Sequence, residues 1–192
     1  MVFAEAARRG AGTIVETNLV EDVFFARGIY LAGVVGVTVR GNTVRRTASG
    51  GIVAWQEIQA GGFSVPPIHD VRIVDNTVEA PIGIATPATG SWGAFGGISV
   101  VSAATGAAGV RFVDGRVNRR ITITGNRVAE SGRSGIWVSN LAGGSVRGNV
   151  ITNHHRRPTL PIYGVAPTFH AVLEREFAQP VAVRLSDEVE LP

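Results

Sequence analysis

Apolar and polar positions along the chain repeat on two scales. Locally, Val or Ile alternates with polar residues, as in Val37-Thr38-Val39 and Ile121-Thr122-Ile123, which is the period of a half-buried strand. On the longer scale one pattern recurs five times: an alternating pair, two spacers, Asn, one residue, then Val or Ile. The copies are centred on Asn18, Asn42, Asn76, Asn126 and Asn149, with inward pairs such as Val37 and Val39, Val71 and Ile73, and Ile121 and Ile123. Gly28-Ile29, Gly51-Ile52, Gly83-Ile84 and Gly135-Ile136 each follow an Asn and read as corners that open a second strand. The Asn spacings of 24, 34, 50 and 23 describe a unit lengthened in the middle by insertions.

A unit this short cannot bury its own apolar face, so successive copies must stack as coils of a solenoid. The alternation turns Val37, Val39, Val44, Ile52 and Ala54 inward and Thr38, Arg40 and Val53 outward. Asn at the turn is expected to take left-handed backbone angles, and its amide to bond the Asn of the next coil, a structural ladder. A leucine-rich repeat shares the Asn spacing, but Leu is nearly absent from these units and a second strand stands where that fold places a helix. A left-handed β-helix needs a hexapeptide period, which is missing.

The segments GVTVRGNTV, DVRIVDNTV, RITITGNRV and GSVRGNVI, each with its following Gly-Ile-type strand or turn, resemble the repeat of the pectate-lyase-like superfamily of right-handed parallel β-helices. The resemblance covers residues 12–152. It implies a coiled all-β solenoid, located outside the cell or at its surface, that binds, cleaves or epimerises polysaccharide, while the repeats of this chain count to about five to seven coils, fewer than enzymes of that superfamily usually have. None of that group's catalytic motifs matches residue by residue. Residues 1–192 are read as one β-helix domain, with 153–192 forming a loop, a helix over 168–178 that caps the last coil, and a final strand. Five coils stack to about 20–25 Å, which reads as the carboxy-terminal part of a longer solenoid whose open end favours self-association.

Composition narrows the classes. Val and Ile number 42 against 7 Leu, so stiff β-branched side chains dominate, and 25 Gly and 9 Pro supply corners. No Cys is present, which excludes disulfides, thiolate metal sites and a catalytic thiol. All 18 basic residues are Arg, yet the net charge is only +3, so nucleic acid is not an expected partner. No run is long and apolar enough for membrane insertion. Neither a cofactor nor a metal site is expected, since no oxygen-ligand cluster appears.

Insertions on a solenoid commonly build its binding face. Three qualify here: 55–70, 85–119 and 153–167. Trp55 and Trp92 lie in them, while Tyr30 and Trp137 follow Gly-Ile corners at outward positions of one face, so these four aromatics form a candidate saccharide platform with Arg133. A glycosidase needs two carboxylates and a lyase needs a base with a charge neutraliser. Glu57, His69, Asp70 and Asp114 are the catalytic candidates. His69 and Asp70 are adjacent on the chain, which points them to opposite faces of a strand. His154, His155, Arg156 and Arg157 form a basic patch suited to a uronate or to no ligand at all. Two readings result: a polysaccharide hydrolase or lyase, and a non-catalytic glycan-binding or adhesion module.

Overall fold

A computed structural model describes residues 2–4, 12–59, 64–83, 95–106, 109–157 and 167–191. After β1 (Val2–Ala4), five coils of three strands follow. They are β2 (Thr13–Glu16), β3 (Leu19–Val23), β4 (Ile29–Ala32); β5 (Val37–Arg40), β6 (Thr43–Thr47), β7 (Ile52–Gln59); and β8 (Arg72–Val74), β9 (Thr77–Pro81), β10 (Gly96–Gly106). After β11 (Gly109–Phe112) come β12 (Asn118–Thr124), β13 (Arg127–Ala129), β14 (Ser134–Ser139), then β15 (Leu141–Arg147), β16 (Val150–Thr152), α1 (Pro167–Phe177) and β17 (Val181–Arg184), with β18 (Asp187–Glu190) last. Corresponding strands pair in parallel into three sheets: β2-β5-β8-β12-β15-β18, β3-β6-β9-β13-β16, and β1-β4-β7-β10-β14-β17, the last with β11 antiparallel to β10. The fold is a parallel β-helix, all-β as the alternation predicts.

Its column is built by register. Val37, Val39, Val44, Ile52 and Ala54 are fully buried and belong to one apolar cluster with their counterparts Ile73, Val78, Ile98, Ile121, Val128 and Ile136. Between the first and second sheets the ladder forms as expected. Each Asn Nδ2 donates to the Oδ1 of the Asn one coil further on, at 2.8 Å from Asn18 to Asn42 and 2.9 Å for the next three steps. The same Oδ1 also accepts the backbone N–H of the preceding Asn. Interior members further donate to a carbonyl of the coil before, as Asn76 does to Val39.

Two expectations are corrected. The left-handed residue at the turn is the one before each Asn, namely Thr17, Gly41, Asp75, Gly125 and Gly148. That placement turns the chain in two residues and leaves the Asn amide directed along the stack. The third coil's corner is Gly97, not Gly83, because Ile98 is the residue aligned with Ile52 and Ile136. At these corners the chain passes against the second sheet: a Cβ on Gly51 would lie 2.4 Å from Val78 Cγ1, and one on Gly135 would lie 2.4 Å from Ile151 Cγ2. Ile84 lies outside the described residues.

The helix expected over 168–178 spans Pro167–Phe177, and its buried Leu173 and Phe177 pack on the outer face of the third sheet, so it closes a flank of the solenoid. No helix among the described residues is long and apolar enough to cross a membrane.

Asn76→Ala should destabilise the chain by about 2–4 kcal/mol, since it strands donors of Asn42 and carbonyls on two coils. Asn18→Ala, at the ladder's first rung, should cost clearly less. Urea unfolding of both variants checks the order. Val39→Asp should abolish cooperative folding, visible as loss of the strand signal in far-ultraviolet circular dichroism.

Candidate functional site

Outward positions of the third sheet carry a second apolar cluster. Val53, Trp55, Phe95, Val101, Ala103, Trp137, Leu173, Phe177 and Ala182 are buried in it, with Tyr30 and Phe112 packed at its margin. Phe95 stacks on Trp137 with ring centroids 4.7 Å apart, and Phe112 lies 5.2 Å from Trp137. Glu176 of α1 closes the seam: its Oε2 accepts Trp137 Nε1–H at 3.3 Å and its Oε1 pairs with Arg184.

The exposed aromatic platform expected here is thereby corrected. Pleat alternation does turn Trp55 and Trp137 out of the coil, but Phe95 and Arg27 cover the first while Phe95, Phe112 of β11 and Glu176 of α1 cover the second, leaving them 1% and 0% exposed. Arg133 is likewise interior, with its guanidinium 4.9 Å above the Phe177 ring and its pKa pushed down to about 9 by burial. Trp92 lies outside the described residues. The expected basic loop is tied down, because His155, Arg156 and Arg157 donate backbone N–H groups to the carbonyls of Arg133, Ser131 and Gly132.

At the amino-terminal margin of this face three candidates converge on a residue that sequence reasoning missed. The Arg27 guanidinium stands 4.6 Å over the Tyr30 ring and 5.4 Å from that of Trp55, within the electrostatic reach of Glu57. Its Nε is buried, and no acceptor bonds it among the described residues. Burial lowers the Arg27 pKa, opposed by Tyr30 and Glu57, and burial raises that of the Tyr30 phenol. Arg27 sits in a turn without periodicity, so only its position just before a Gly-Ile corner hinted at it.

The other candidates are dispersed. Asp70 is held by a bidentate ion pair with Arg120 of β12, which lowers its pKa, and it makes no bond to His69. His69 bridges Val35 and Arg119 through its backbone, and its pKa is lowered by desolvation and by Arg119 and Arg120. Asp114 is exposed and lines a pocket of about 330 Å³ with Ile58, Ala104, Arg111, Phe112 and Val113. These residues come from the two middle insertions, which meet where β7, β10 and β11 run past the coil as a small sheet. Ile58, Ala104 and Arg111 form one cross-strand row, and Glu57, Ala103 and Phe112 form the next, so Glu57 turns away from the face that carries Ile58. Among the described residues no three His, Asp or Glu side chains gather as a metal site.

Comparison with protein-family models, with curated proteins and with solved structures finds no match.

Two outcomes are expected. Trp137→Ala should cost about 3–5 kcal/mol and free α1, seen as faster amide exchange in Leu173–Phe177. Relative to the parent, Arg133→Met should fare best at about pH 8, where burial penalises the charged guanidinium. That relative standing should fall as pH rises from about 9 toward the ordinary arginine range. In that window the unfolded parent holds the proton that its folded state has shed, so the parent gains stability; urea midpoints across pH test the sign.

Proposed function

We propose that this chain is a β-helix of the pectate-lyase-like kind that binds an acidic, uronate-bearing polysaccharide outside the cell or at its surface. One observation supports the reading above the others: a largely buried arginine stacked on Tyr30 and Trp55, with no acceptor on its Nε among the described residues. A guanidinium recognises a carboxylate by paired, charge-assisted hydrogen bonds, and it does so most strongly where water is displaced. The half-buried Tyr30 beside it suits the apolar face of a sugar ring, while the buried Trp55 backs the guanidinium. The ladder and corner motifs support the superfamily itself.

Hydrolysis is less well supported. It requires two carboxylates facing each other across the scissile bond. Asp70 is committed to Arg120, while Asp114 lines the pocket with Ile58 and Glu57 turns to the opposite face. A lyase remains the second reading, favoured by the grouping of Glu57 and Tyr30 around Arg27. There Arg27 would neutralise the uronate carboxylate and Glu57 would remove the proton α to it. The Tyr30 phenol would protonate the leaving oxygen as the bond at the β carbon breaks.

Calorimetric titration with a uronate oligosaccharide and with its carboxyl-reduced form checks the proposal. The parent should bind the acidic form only, and Arg27→Met should weaken that binding about tenfold or more without altering the circular dichroism. Equal binding by the variant, or no binding by the folded parent, overturns it. Growth of ultraviolet absorbance from unsaturated product on incubation would convert the binding reading into the lyase one.

A further inference from the structure

The pocket at the tips of β7, β10 and β11 is independent of Arg27. Its floor is apolar: Ile58 and Ala104 are cross-strand neighbours, and Val113, bonded opposite Ser102, lies on the same side of the small sheet. Its two charged residues, Arg111 and Asp114, are both exposed. They form no ion pair with each other or with any described residue, although nine ion pairs join acids and arginines elsewhere among the described residues. Opposite charges three positions apart on one pocket thus remain separated.

A neutral sugar would satisfy neither charge fully, and a simple anion would meet Asp114 as well as Arg111. A ligand that carries both signs close together, with an apolar body, satisfies all of the lining at once. The volume of about 330 Å³ lies at the small end of ligand sites, which favours a monomer over a peptide. We propose that this pocket binds a free α-amino acid with an apolar side chain, its carboxylate on Arg111, its ammonium on Asp114 and its side chain over Ile58, Ala104 and Val113. The guanidinium offers a two-pronged contact to the carboxylate, and the aspartate accepts from the ammonium. The occupant leaves the Arg27 cluster untouched, so the two sites should act separately.

Titration with L-leucine, followed by the methyl resonances of Ile58, Ala104 and Val113 in the intact chain, is the test. Saturable shifts are expected, and they should weaken about tenfold or more with leucine methyl ester, which lacks the carboxylate, and with N-acetyl-leucine, which lacks the ammonium. Arg111→Met and Asp114→Asn should each abolish saturation while the spectrum stays folded, and Arg27→Met should leave it intact. The inference fails if leucine gives no saturable shift, if the two blocked compounds shift the methyls as well as leucine does, or if glucuronate does so instead. Because Arg27→Met separates the two sites, loss of either reading is visible without the other.

Discussion

The amide ladder between the first and second sheets is the constraint on which the remaining structure depends. Each interior rung, at Asn42, Asn76 and Asn126, saturates one buried Asn with partners on both sides, so a coil displaced along the stack would leave several polar groups without bonds in an apolar column. Register in all three sheets follows from that one alignment. Around it the backbone obeys a rule that no residue type announces. Left-handed angles occur six residues before, one before and four after every ladder Asn, at all fifteen such positions. The column before the strand is Gly12, Gly36, Asp70, Arg120, Gly143; the column after it is Asp22, Arg46, Ala80, Glu130, Asn153.

Most of these positions are not glycine, and each such residue carries a backbone cost of about 1 kcal/mol or more. Their side chains, brought into vertical columns, meet their own equivalents on the next coil. Asp22 pairs with Arg46, Asp70 with Arg120, and Asn153 donates to Glu130 at 2.7 Å. These contacts are exposed and individually weak, so they offset the strain in part and align the corners rather than hold the fold.

The column and the ladder were legible in the sequence because burial there demands a residue type: Val39, Ile73 and Ile123 have no polar substitute, and Asn76 no equivalent donor and acceptor. The turn geometry was misassigned by one residue, since Asn tolerates the left-handed region and so attracts the inference. Gly83-Ile84 imitated a corner in a two-residue window, whereas the true corner, Gly97, is fixed only by its neighbours above and below. The outer face of the third sheet was hidden for another reason. Alternation tells which side of a strand a Trp occupies, but not that Leu173 and Phe177, some 40 positions from Trp137, return to cover it. Arg27 escaped because its environment is assembled from two coils and belongs to no pattern.

Between the residue six before the ladder Asn and the one four after it, every coil has the same length, so the spacings of 24, 34, 50 and 23 differ only in the arc that carries the third sheet. The molecule therefore separates a metrical part, which counts residues, from a free part, which counts only coils. Lineages of such a chain can lengthen, shorten or replace the arc without disturbing its neighbours. Novel surface chemistry should accumulate on that flank, while the opposite two sheets stay nearly monotonous.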